Sequence, residues 1–342
     1  MHQLPVNFQS DQNYDCVRCG RGCEGHWNIS VTEDKVQALR PTALVQKVIK
    51  EDGDPFTPVE GTKYHLRKKN GHCVFLEPGA GEFQGCQVCG IHAHIGYEAK
   101  PTTCKNFPFI VVETPEEVRV GASFYCTAVQ QNVGRPLSVH TDAVEAFGTS
   151  ERMHVGKKPI QVYEGLTTDW AGYKKVVEFL EHPASGESYE SRLVRALLGM
   201  ARVILSAQEG VSISADDIEE ALQSAQPSLD TAEWFQILKT SCLHGITLYI
   251  ECDETEEVQT VMAALFGGTE VFLPNILWKG PVQALLEFRE TALPPELQAE
   301  ADRYYRSILF RHYLGTHGSF FESLITLYLN ANLIRQYSHL VA

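Results

Sequence analysis

Cysteine is the residue of this chain whose spacing points to chemistry. Eight of its ten cysteines lie between Cys16 and Cys126. Cys16, Cys19 and Cys23 form a Cys-x2-Cys-x3-Cys run, Cys73 stands alone, Cys86 and Cys89 form a Cys-x2-Cys pair, and Cys104 and Cys126 complete the set. Thiolate sulfur is a soft ligand that suits zinc, copper(I) and iron–sulfur clusters rather than magnesium or calcium. Clustered thiolates repel one another and oxidise unless something holds them, and a metal ion or cluster is the simplest holder. Two Cys-x2-Cys pairs, Cys16 with Cys19 and Cys86 with Cys89, could close one tetrahedral zinc site, and four cysteines could equally hold a [4Fe-4S] cluster. Eight exceed one site, so the spacing leaves two sites, or one site with extra thiols, both open. Cys242 and Cys252, far from the others, read as small buried hydrophobes. The run reverses the order of the radical S-adenosylmethionine enzymes, which argues against that mechanism.

Histidines flank the thiols. His92 and His94 follow Cys89, and His26 and His72 lie near other cysteines. Imidazole mixes well with thiolate at zinc, but a histidine satisfied by a polar neighbour is the commoner case. Gly79-Ala-Gly81 lacks the strand–turn–helix setting that a phosphate-cradling loop requires, so it reads as a plain loop. No Ser-His-Asp or Cys-His arrangement has diagnostic spacing. The acidic runs at Asp216, Asp217, Glu219 and Glu220 and at Asp253, Glu254, Glu256 and Glu257 fall at expected helix starts, where carboxylates favour the macrodipole. Tyr304, Tyr305, Phe310 and Tyr313 near Arg303, Arg306 and Arg311 read as core packing with a basic rim.

The 342 residues suffice for two domains, and a 44% hydrophobic content supports a substantial core. A net charge of -14 argues against sequence-independent nucleic-acid binding, which needs a basic surface. The N-terminus lacks the basic and apolar regions of a signal peptide. No run of about 18 apolar residues occurs, the nearest being Phe320–Ile334, so no membrane span is expected. These features imply a cytoplasmic protein, and in that compartment clustered thiols read as metal ligands rather than a disulfide framework.

The segments YDCVRCGRGC, NGHCVFLE, CGIHAHIGYEAKPTTCKNFPF and VGASFYC resemble the YkgJ-type cysteine-cluster proteins, with a similar pattern in flagellin lysine-N-methylase (FliB). The shared positions are Cys16, Cys19, Cys23, Cys73, Cys89 and Cys104. Cys126 matches a later cysteine of the longer members. Cys86 is less clearly part of the pattern, and Glu24 stands where many members have a further cysteine. The resemblance covers about residues 14–126 and implies a zinc- or iron-chelating domain. It admits three functions: a metal-binding or iron–sulfur protein, an S-adenosylmethionine-dependent lysine methyltransferase acting on a protein substrate, or a zinc-stapled interaction module without catalysis.

The elements that must position these residues divide near residue 140. Residues 1–140 read as a loop-rich cysteine-cluster domain, and residues 141–342 as a mainly helical one. The class is α+β, with short strands confined mainly to residues 60–165. Residues 1–30 read as irregular. Residues 31–50 are expected to be helical, capped by Thr32 and interrupted at Pro41. Residues 62–77 are expected to form one hairpin about Asn70-Gly71, because both residues tolerate positive φ. A short helix is expected over 89–97, a turn or loop around Cys104, and strands over 109–113 and 117–125. The second part should open with a strand at Ile160–Tyr163. Helices follow over about 169–180, capped by Thr168 or Asp169, over 190–207, and over 215–224 from a capping box at Ser214 and Asp217. Further helices are expected from Asp230 to about Tyr249, over 254–266, after Pro281, and over 295–314 and 320–338.

Overall fold

The computed structural model describes residues 4–24, 28–59, 63–81, 84–141, 152–182, 187–208, 210–226, 270–273, 278–281, 293–316 and 318–341. It contains both strands and helices, with strands concentrated early and long helices late, an α+β fold. The chain divides into two compact units, Met1–Met153 and His154–Ala342. Among the described residues, no helix is long and apolar enough to cross a membrane.

The first unit is built from short pieces around two hydrophobic clusters. The first cluster contains Ile29, Val31, Val36, Leu39, Val45, Phe56, Leu66, Phe75 and Ile91. It is covered by the helices Glu33–Leu39 and Ala43–Asp52 and by a three-stranded antiparallel sheet in which Lys63–Leu66 lies between Ser30–Thr32 and Phe56–Pro58. The expected helix over 31–50 is thus two helices broken around Pro41. Thr32 stands at the cap position without a cap bond from its side chain, whereas the Thr42 hydroxyl accepts from the Val45 N–H at 3.4 Å.

The second cluster lies on the antiparallel pair Phe109–Glu113 and Val118–Ala122, with Val6–Phe8 parallel to the latter. Val111, Val118, Val120, Ala128, Val129 and Leu137 fill it. Asn13–Tyr14 pairs with Arg135–Pro136. The segment expected to be irregular therefore carries two strands, and strands begin well before residue 60. Their partners lie more than 100 positions away, beyond the reach of local patterning.

The expected hairpin over 62–77 is right at its turn and wrong in its pairing. Asn70 and Gly71 have φ 52° and 78°, the left-handed conformation that a two-residue hairpin turn needs. They join only Lys68–Lys69 to His72–Cys73, because Lys63–Leu66 is already occupied on both edges. Leu76–Pro78 turns instead to Gln87–Cys89. The glycine-rich segment at 79–81 joins these two strands, as a loop should. Around Cys104 the expected turn is a short helix, Thr102–Asn106.

In the second unit, Ile160–Tyr163, Leu166–Thr168 and Ser212–Ile213 form a small sheet. The helices Trp170–Glu181, Tyr189–Ser206 and Ala215–Ser224 pack on one another, and Phe320–Val341 packs on Tyr189–Ser206. Tyr173, Val176, Leu180, Leu193, Met200, Ile218 and Leu222 are buried there. A Cβ at Gly199 would meet the Ala221 carbonyl oxygen at 2.9 Å, so glycine sets how closely those two helices approach. Asp169 caps its helix by accepting from the Gly172 N–H at 2.9 Å. Ser214 accepts from the Asp217 N–H at 3.1 Å and donates to the Asp217 carboxylate at 2.6 Å. The acidic run from Asp216 is the solvated start of that helix, with Glu219 paired to Lys175.

The helix Pro295–Phe310 carries Tyr305, which packs on Tyr189 with ring centroids 5.7 Å apart. The expected basic rim is corrected here: Arg303 and Arg311 are buried and only Arg306 is exposed. The Arg311 Nε donates to the Ser307 carbonyl at 3.0 Å, and burial lowers its pKa to about 10. Pro281 ends the strand Trp278–Pro281, which pairs with Glu270–Leu273. The helix expected after it, those expected over 230–249 and 254–266, the second acidic run, Cys242 and Cys252 lie outside the described residues.

Candidate metal centre

Four thiols meet on the first hydrophobic cluster. Cys73 is buried in it, and Cys23, Cys89 and Cys104 pack against it. Each comes from a different segment. Cys23 ends the one-turn helix Arg21–Cys23, whose entry bends through Gly20 at φ 77°; the Cys23 N–H donates to the Gly20 carbonyl at 2.7 Å. A Cβ at Gly20 would lie 2.7 Å from the Gln87 Cβ, so this loop sits tightly on the Gln87–Cys89 strand. Cys73 lies opposite Lys68, and Cys89 opposite Leu76. The N–H of Gly90 donates to the Phe75 carbonyl at 2.7 Å and holds Cys89 beside the Cys73 strand. Cys104 is carried by the helix Thr102–Asn106.

Burial pushes the Cys23 thiol up to about 12, with the neighbouring Cys73 and Cys89 sulfurs adding to it. Burial likewise takes Cys73 to about 11; a backbone hydrogen bond at Phe75 opposes this and Cys89 adds to it. Cys104 is raised further still, by burial and then by Cys73, Cys23 and Cys89, with Lys100 opposing. Burial thus opposes ionisation of these three thiols, and each would have to give up its proton to ligate a metal.

Cys126 belongs to the other cluster, whereas Cys16 and Cys19 are exposed and part of neither. Cys126 is buried in that cluster, at the cap position of the short helix Thr127–Gln130. The Cys19 thiol donates to the Thr127 hydroxyl at 3.5 Å. Tyr14 packs on the same cluster, and its phenol is raised by burial and then by Cys16 and Cys126. Burial raises Cys126, the backbone N–H groups of Val129 and Ala128 oppose it, and Cys19 and Cys16 add to it. The Arg135 guanidinium forks onto the Asp15 carboxylate at 2.8 and 3.1 Å, holding its pKa below the usual range and anchoring the loop that bears Cys16 and Cys19. The backbone reinforces this, with the Asp15 N–H donating to the Val133 carbonyl at 3.1 Å.

The two Cys-x2-Cys pairs, which spacing alone would close on one ion, are thus divided between different surroundings. Cys86 belongs to neither cluster; its carbonyl accepts from the Gly79 N–H at 2.9 Å. His94 is engaged by Glu77 at 2.7 Å, His92 packs edge-on against Tyr97, and His72 lies 3.8 Å from Glu24. His26 lies outside the described residues. All eight cysteines are free thiols. Among the described residues, no three Cys, His, Asp or Glu side chains are already drawn in around one ion. Cys23, Cys73, Cys89 and Cys104 share one hydrophobic cluster without forming a closed ligand shell.

Residues 15–128 match the family CxxCxxCC, described as a putative zinc- or iron-chelating domain. That stretch contains all eight clustered cysteines. The match supports metal binding by this part of the chain. No curated protein and no solved structure matches the chain.

Proposed function

We propose that the first unit binds zinc or iron through Cys23, Cys73, Cys89 and Cys104, and that this ion or cluster holds the unit's short elements together. The observation that carries the reading is the arrival of four sulfurs from four separate segments on one hydrophobic cluster. Four thiolates around one ion is the closed coordination of a structural site, and the same set could serve a [4Fe-4S] cluster. When bound, the metal supplies cross-linking charge that the protonated thiols lack. The chain's own residues exclude water behind it, with Phe75 and Ile91 buried beneath, and Lys68 and Lys100 offset the thiolate charge. The metal-binding module is proposed to span residues 1–140. A reducing compartment such as the cytoplasm fits eight free thiols.

Anaerobic purification followed by metal analysis and a visible spectrum tests the reading. A colourless protein holding zinc supports a structural ion. A brown protein absorbing near 400 nm with about four irons per chain supports a cluster. Protein carrying neither metal, and taking up neither on incubation, overturns it. S-adenosylmethionine-dependent methylation of a protein lysine rests on resemblance alone, and calorimetric titration with S-adenosylmethionine checks it independently.

A further inference from the structure

We infer that the second unit binds a small phosphate-bearing molecule, in the cavity between the turn over residues 156–159 and the glycines Gly315 and Gly318. The inference stands apart from the metal reading, because every residue it uses belongs to the unit His154–Ala342.

Three observations carry it. The cavity measures about 500 Å³, within the usual range for a small-molecule site. Its charged lining is basic. Lys157 and Lys158 line it, and among the described residues around it none is acidic, in a chain with 43 acidic side chains against 29 lysines and arginines. Lys158 is exposed and holds no ion pair or hydrogen bond among the described residues. Glu322 lies beside Gly318, but its carboxylate is taken by Ser319, whose hydroxyl donates at 2.7 Å and whose N–H donates at 3.3 Å. The third observation is the build of the walls. Gly156 and Gly318 have φ 83° and 56°, the left-handed region that glycine enters freely. With no Cβ at either position, a ligand can come close to the main chain. A Cβ at Gly315 would lie 2.6 Å from the Val155 Cγ1 and 3.1 Å from the Tyr173 Cζ, so this segment sits directly on buried side chains. The Tyr173 hydroxyl donates to the His312 carbonyl at 3.2 Å and ties the segment down.

These features select the ligand. A lysine ammonium binds phosphate as a point charge, and two in succession suit a dianion. Val155 and Ile160 line the same cavity and offer apolar surface to the ligand's carbon part. The net charge of -14 disfavours long polyanions, whereas a cavity of this size admits one small phosphomonoester.

The test titrates full-length protein with adenosine 5′-monophosphate, adenosine and inorganic phosphate by calorimetry. The monophosphate should bind, inorganic phosphate should compete with it, and adenosine should bind at least about tenfold more weakly, the effect of one charged hydrogen bond. Lys157→Gln with Lys158→Gln, both at exposed positions, should weaken the monophosphate by at least about tenfold and leave the melting temperature unchanged. Lys47→Gln with Lys50→Gln removes the same charge from an exposed helix face of the first unit and should leave binding unchanged. No binding of the monophosphate, equal affinity for adenosine, or failure of inorganic phosphate to compete overturns the site. So does unchanged affinity in the Lys157 and Lys158 variant, or an equal loss in the Lys47 and Lys50 variant, which would show a general charge effect. None of these outcomes bears on metal content.

Discussion

The two units of this chain illustrate two ways of holding a fold. In the first, the longest described helix has 10 residues and the longest strands have five. Elements that short bury little apolar surface each, and their order comes from many separate contacts. In the second, described helices run to 18 and 22 residues and pack through continuous apolar faces. The thiols of the proposed metal site lie in the unit whose elements are short.

The largest expected effect breaks the comparison at its centre. Removing the metal with a chelator, or Cys73→Ser, should melt the first unit and spare the second, since a structural zinc site can supply on the order of 10 kcal/mol of folding free energy. Circular dichroism with limited proteolysis would show cleavage confined to residues before 153, and equal resistance of both units with and without metal would break the comparison. Next comes Met200→Ala, which empties a fully buried position between helices of the second unit. It should cost about 2–5 kcal/mol by scanning calorimetry while leaving metal content unchanged. Gly199→Ala should cost about 1–3 kcal/mol, because the new methyl meets the Ala221 carbonyl and the helices must part. Ser214→Ala is the mildest, about 1 kcal/mol in denaturant titration, through loss of the helix cap. If Ser214→Ala altered metal content, the independence of the two units would need revision.

How much was legible in the sequence depends on how far each decision reaches. The caps at Asp169 and Ser214 were readable because each bond spans three residues. The Asn70-Gly71 turn was readable for the same reason, but its strand partners were not. Lys63–Leu66 is claimed by strands at 30–32 and 56–58, a choice made by burial of Val31, Phe56 and Leu66 rather than by the nearest turn. The thiols follow the same rule. Their type and number announced soft-metal chemistry, yet only packing separates Cys23, Cys73, Cys89 and Cys104, on one cluster, from Cys126, on the other. Cys19 and Cys23 are close in sequence, yet the Cys19 thiol meets Thr127 while Cys23 packs on the cluster of Phe75 and Ile91, with the Gly20 bend between them. Tyr14 opens the YDCVRCGRGC segment, yet its packing on the second cluster rests on the distant pairing of Asn13–Tyr14 with Arg135–Pro136 and on Phe109, neither of which the local sequence shows.

That pairing has a consequence for how the chain is made. Cys19 and its contact Thr127 are 108 positions apart, and Asp15 and Arg135 are 120 apart. At about 5–20 residues per second, a ribosome takes roughly 5–25 s to pass from one to the other. Through that interval the exposed Cys16–Cys19 pair is outside or emerging while its partners are not yet synthesised. The Cys19–Thr127 and Asp15–Arg135 contacts therefore cannot form until the segment around residue 135 clears the exit tunnel. Anchoring of the Cys16–Cys19 loop is a late event, because its residues are made more than 100 positions before the partners that hold them.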